Sequence, residues 1–194
     1  MELYNTNEMP LSSNEELRNI QLKVLNNQEL TLDEKIKLGK DHPLKQCSGY
    51  QFKPDHVYRA MNHKLFDIYK KMGKVVGIDA ADEYMEWEEN GRVYNNNKGV
   101  DWFLGGVCLS YGDLIIECPA DKEYFQPAWD NGNGLSADPT IKFMKSSGFK
   151  KPVPLSMITK VFAISISKNQ IAMQDVTEQI LNDKSKMKKL GRLS

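Results

Sequence analysis

His56-Val57-Tyr58-Arg59-Ala60-Met61 is short, β-branched and aromatic, and Asn62 follows it directly. Such a run predicts a strand. Asn62 is a good N-cap for a helix over 63–72. Leu65, Phe66, Tyr69 and Met72 fall on one face of that helix, and Gly73 supplies its stop. This strand followed by a bounded helix is the unit from which the rest of the chain is read.

Downstream, 79–89 (DAADEYMEWEE) predicts a second, acidic helix, and Asn90-Gly91 and 95–99 (NNNKG) are turn signals. VDWFLGG from Val100 predicts a short aromatic strand, and Leu114 to Cys118 is the most β-rich run in the chain. Residues 126–140 (QPAWDNGNGLSADPT) carry Gly, Asn, Asp and Pro without periodicity. They predict a loop of about 15 residues, a length at which a function is expected. A short helix is expected over 139–146, then a strand or strand pair in VPLSMITKVFAISI, then a basic-ended helix over 171–190. The KSKMKK at its end suits the negative pole of a helix dipole.

Upstream, Ser13 and Glu16 form a capping-box pattern, and Thr31 and Glu34 repeat it. Leu17, Ile20, Leu22, Val24 and Leu25 have helical spacing, Asn26 and Asn27 end the run, and Gly39 closes a second short helix. Residues 13–40 therefore predict a helical hairpin that needs a partner surface, and 41–54 reads as a connector. The expected fold class is α+β: a small mixed or antiparallel sheet flanked by helices, not a doubly wound parallel sheet. The expected organisation is a helical extension over 1–50, a core over 51–170 and a basic helix over 171–194.

Composition narrows the function classes. Lys plus Arg equals Asp plus Glu at 26 each, so the chain is formally neutral. Residues 1–50 hold 8 acids and 6 bases, whereas 121–194 hold 7 acids and 12 bases. The basic excess is spread over strands and loops, so nucleic acid is not an expected partner. No apolar run approaches the roughly 18 residues of a membrane span. Cys47, Cys108 and Cys118 are too few for a disulfide scaffold and too scattered for a zinc site, which predicts free thiols and a cytoplasmic protein. His42, His56 and His63 are the three histidines, and no metal site is expected on them. Neither a P-loop, a G-x-G-x-x-G after a strand, an H-E-x-x-H nor a G-x-S-x-G elbow occurs.

Three constellations could carry chemistry. Arg59 is one of four arginines against 22 lysines. A planar five-donor fork inside an apolar strand serves either as a bidentate clamp on phosphate or carboxylate, or as half of a structural salt bridge. Trp102 and Phe103 lie among glycines and could wall a flat ring; alternatively they face opposite sides of a strand, one in the core. Glu117 interrupts an apolar run. A buried carboxylate of this kind is either a raised-pKa catalytic group or a paired one. Cys108 and Cys118 sit in apolar company and read as inert.

The stretch Val57-Tyr58-Arg59-Ala60-Met61, followed by a helix and a glycine, resembles the first-strand arginine motif of ADP-ribosyltransferase-like toxins and effectors of bacteria or phage. Val100-Asp101-Trp102-Phe103 falls where that family walls the nicotinamide. Val153-Pro154-Leu155-Ser156-Met157-Ile158-Thr159-Lys160-Val161 is similar to the strand after its catalytic loop. The resemblance covers 55–165. It implies NAD as substrate and a macromolecular target, a protein by expectation. Arg59 would hold the diphosphate, with Tyr58, Trp102, Phe103 and Ser110 lining the cofactor. Glu117 or Asp138 would be the catalytic carboxylate. The chain departs from the family at 144–148, where Met-Lys-Ser-Ser-Gly stands instead of a glutamate. The alternative expectation is a non-catalytic interaction protein, a phage or mobile-element modulator of a host factor, on a degenerate transferase-like fold.

Overall fold

A computed structural model describes residues 1–8, 11–12, 14–37, 46–47, 49–77, 99–128, 141–146, 151–167 and 170–181. Its centre is a seven-stranded sheet in which every pairing is antiparallel. The strands in this sheet are β3 (His56–Met61), β5 (Val100–Leu104), β6 (Leu114–Pro119), β7 (Phe125–Pro127), β8 (Lys142–Ser146), β10 (Lys160–Ser167) and β11 (Gln170–Asp175), in the order β11-β10-β6-β3-β5-β8-β7. Two small ladders stand apart from it. One pairs β1 (Gln46–Cys47) with β2 (Tyr50–Gln51), and the other pairs β4 (Lys74–Val75) with β9 (Val153–Pro154). The helices are α1 (Glu15–Leu25), α2 (Leu32–Lys37), α3 (His63–Met72) and α4 (Thr177–Leu181). The α+β class expected from the sequence is the class observed.

Local chemistry explains the unit at the centre. The Asn62 side chain accepts from the Leu65 N–H at 2.8 Å and starts α3. Gly73 ends it in the left-handed region at φ 68°. Phe66 and Tyr69 are buried, so α3 lays one face on the sheet. That side of the sheet carries Val57, Met61, Trp102, Leu104, Leu114, Ile116, Cys118 and Met144 in one continuous core. The opposite side carries a smaller cluster of Phe52, Tyr58, Ala60, Val107, Ile115 and Phe162.

Several expectations are corrected. Asn14, not Ser13, caps α1, its side chain accepting from the Leu17 N–H at 3.2 Å. The second capping box holds: Thr31 N–H donates to Glu34 at 2.8 Å and Glu34 N–H to Thr31 Oγ1 at 3.3 Å. On α1, Ile20 is buried while Leu17 and Val24 are half-buried. The connector 41–54 contains the β1–β2 ladder. The helix expected over 139–146 is strand β8, because Val100–Leu104 offers it a five-residue antiparallel partner. The helix expected from 171 begins only at Thr177, since 170–175 pairs with β10 as the sheet's last strand. The core sheet therefore runs past residue 170. The acidic helix over 79–89, Gly39, residues 129–140 of the long loop and the KSKMKK end lie outside the described residues. Among those described, no helix is long and apolar enough to cross a membrane.

Candidate functional site

Strand register decides which candidate residues can meet. Cross-strand partners in an antiparallel ladder project from the same face of the sheet. Tyr58 opposes Glu117 on one side and Phe103 on the other, whereas Arg59 opposes Ile116. Arg59 and Glu117 therefore project from opposite faces. Trp102 shares the Arg59 face and Phe103 the Glu117 face.

Arg59 sits where the sheet splays. The β3–β5 ladder pairs Val57 with Leu104 and Tyr58 with Phe103 and then stops. Beyond it, Arg59 Nη1 donates to the Asp101 carbonyl at 2.8 Å. The guanidinium also lies beside the Tyr69 hydroxyl of α3. Burial pushes that phenol's pKa up, and the adjacent cation pulls the other way. Tyr69 itself donates to the Val76 carbonyl at 2.6 Å. Arg59 Nε is buried and has no hydrogen-bond partner. Among the described residues Arg59 pairs with no carboxylate. A cation in this setting ordinarily finds an anion.

Glu117 is the opposite case. Its side chain is inaccessible to solvent, and four donors converge on it. Tyr50 Oη donates to Oε2, and Tyr58 Oη donates to the same oxygen at 3.1 Å. Thr159 Oγ1 donates to Oε1 at 2.8 Å, and Lys53 Nζ reaches that oxygen at 3.1 Å. Burial pushes the carboxyl pKa up, but the hydrogen bonds from Tyr50, Thr159 and Lys53 outweigh it and hold the group below its ordinary value. The same geometry, led by burial, pushes both Tyr50 and Tyr58 well above the ordinary phenol value. Lys53 N–H donates to Tyr58 Oη at 2.8 Å, completing the network. Glu117 is thus an ionised, fully coordinated carboxylate, with no spare lone pair aimed at an open cleft.

The remaining candidates are scattered. Trp102 is fully enclosed, with Nε1 donating to Ser146 Oγ at 2.9 Å and its ring meeting Phe125 edge-on at 5.3 Å. Phe103 packs with Phe143 on the other face. Ser110 lies in a 3-10 turn over Leu109–Tyr111, and Asp138 lies outside the described residues. His56 meets Asp55 at 2.7 Å, and His63 meets Asp113 at 3.6 Å. Among the described residues no group of three or more His, Cys, Asp or Glu could hold a metal.

Sequence reasoning missed Tyr50, Lys53, Thr159 and Tyr69. The available signal was the alternating Tyr50 and Phe52 inside an otherwise polar connector, which is a strand-like pattern with one apolar side. The chain matches no protein-family model, no curated protein and no solved structure.

Proposed function

We propose that this chain is a non-catalytic binding protein that receives an anionic ligand at Arg59, and that the diphosphate of NAD is the first ligand to test. One observation carries the reading. Arg59 is a half-buried cation whose acceptors among the described residues are neutral and whose Nε is buried without a hydrogen-bond partner. A guanidinium presents five donors in a fork that matches phosphate or carboxylate oxygens bidentately. An unpaired buried N–H marks the place where a ligand's acceptor restores the lost hydrogen bond. NAD comes from the resemblance of 55–165 to ADP-ribosyltransferase-like proteins, within which Arg59 is the phosphate residue.

The fit is partial, and the partial fit favours binding over transfer. Glu117 projects from the other face and is consumed by four donors, so it cannot reach a ribose held by Arg59. Trp102 is enclosed in the core and leaves no ring face for nicotinamide. Calorimetric titration with NAD, ADP-ribose and pyrophosphate tests the reading. Wild type is expected to bind at least one of them and Arg59→Lys to lose most of that affinity, with no nicotinamide released from NAD above the uncatalysed rate. Nicotinamide release that Glu117→Gln abolishes would overturn the reading.

A further inference from the structure

The side of the sheet opposite α3 is covered in part by Tyr50, Phe52 and Lys53, and this cover is attached in an unusual way. Its ladder, β1 with β2, shares no strand pairing with the seven-stranded sheet. Among the described residues it is held by the approach of β1 to β11 and by side-chain contact with a few groups. The Tyr50 ring lies 4.6 Å from Phe162 and Phe52 lies 4.7 Å from Tyr58, centroid to centroid. The Tyr50 hydroxyl and the Lys53 ammonium both end on Glu117, and the Lys53 N–H ends on the Tyr58 hydroxyl. Every polar tie named here converges on the Tyr58–Glu117 pair, which opposes across β3 and β6.

We propose that Tyr50–Lys53 forms a strap latched by the buried Glu117 carboxylate, and that it opens as a unit while the seven-stranded sheet stays intact. A segment without ladder bonds to the sheet has fewer cooperative contacts to break than a central strand. Such segments open with free energies below that of global unfolding. Opening uncovers Phe162, Ile115 and Tyr58, an apolar surface with an acidic floor. The latch depends on both phenols donating to one carboxylate, so removing a single hydroxyl weakens it without removing an aromatic ring.

Native-state hydrogen exchange on the full chain tests this. The Lys53 amide, which donates to Tyr58, reports on the strap. The Ile116 amide, in the β3–β6 ladder, and the Val161 amide, which donates to Thr177 Oγ1 where β10 meets α4, report on the rest of the sheet. In wild type, Lys53 is expected to exchange at least tenfold faster than the two sheet amides. Tyr50→Phe removes a hydrogen bond to a charged group, and is expected to speed Lys53 exchange roughly tenfold or more again relative to them. Chymotrypsin cleavage after residue 50 or 52 should rise in parallel, because the variant keeps an aromatic at the cleavage site. Lys53→Met, on the half-exposed edge, is a second variant that retains the core and should also speed cleavage there. If Lys53, Ile116 and Val161 exchange at one rate in wild type and shift together in Tyr50→Phe, strap and sheet open only as one and the proposal is wrong.

Discussion

Replacing Glu117 with alanine removes the acceptor at the centre of the polar network, and its cost can be worked from the surroundings. Thr159 is exposed and Tyr50 is half-buried, so water can satisfy both hydroxyls. Lys53 is 46% exposed on its side chain, so its ammonium rehydrates and contributes little. The Tyr58 hydroxyl is the group left in a dry place, since Tyr58 is 0% exposed. An unsatisfied buried donor costs about 1–3 kcal/mol, and the lost methylene adds about 0.8 kcal/mol. Relief of carboxylate desolvation offsets part of this, whereas the cavity adds to it. The expected loss is therefore about 3 kcal/mol. At about 2–4 °C per kcal/mol for a chain of this size, Tm should fall by roughly 6–12 °C. Urea unfolding followed by tryptophan emission, to which the enclosed Trp102 contributes, measures it. A Glu117→Ala protein within about 0.5 kcal/mol of wild type would refute the claim that this carboxylate organises the network.

Further predictions follow from the same contacts. Glu117 titrates below its ordinary value when folded, so its contribution is fully present above about 4.5 and is lost as pH falls through the lower folded value. Asp175 is held down to about 2 by Lys160 and Thr177 and acts in the same direction, so an acid titration of the unfolding midpoint should fall steadily below pH 4.5. Tyr50 and Tyr58 titrate above the ordinary 10.0, so stability should also decline as pH rises past 10, when the unfolded chain gives up phenol protons that the folded one keeps. A Cβ built on Gly112 lies 2.2 Å from the Met61 carbonyl carbon, with φ at 149°, whereas one built on Gly73 meets nothing within 4 Å. Gly112→Ala should cost more than about 3 kcal/mol and Gly73→Ala only about 1 kcal/mol, as chemical denaturation will show. Cys108 and Cys118 are buried thiols outside any disulfide, and burial pushes the Cys118 thiol up, so both should react with a thiol reagent only after unfolding.

Much of the fold could be read from residue patterns, and the reason differs from element to element. The strand over 56–61 and the helix after it carry their own punctuation in Asn62 and Gly73. Strand β6 is apolar on both faces except for Glu117, which matches a strand buried on both sides. Strand β8 was illegible because Lys142, almost fully buried, stands at a position that should read apolar. Strand β11 was illegible because Gln170, Ala172, Met173 and Gln174 are good helix formers, and its conformation is set by pairing with β10. The site failed for a sharper reason. Arg59 and Glu117 are each visible as odd residues in apolar strands, but which face each takes depends on the register of β3 against β6. A slip of one residue would have put them on the same side. No local signal specifies that register.

The most direct test of the anion-binding account is the unfolding midpoint of wild type and Arg59→Lys, each with and without NAD. A ligand that binds the native state must raise the midpoint, by about 2.7 kcal/mol of stabilisation at a hundredfold excess over Kd. The account predicts a clear NAD-dependent rise in wild type, little or none in Arg59→Lys, and ligand-free midpoints that nearly coincide. A wild type that NAD does not shift, together with an Arg59→Lys protein several degrees less stable, would contradict it and make Arg59 a structural bridge between β3 and β5.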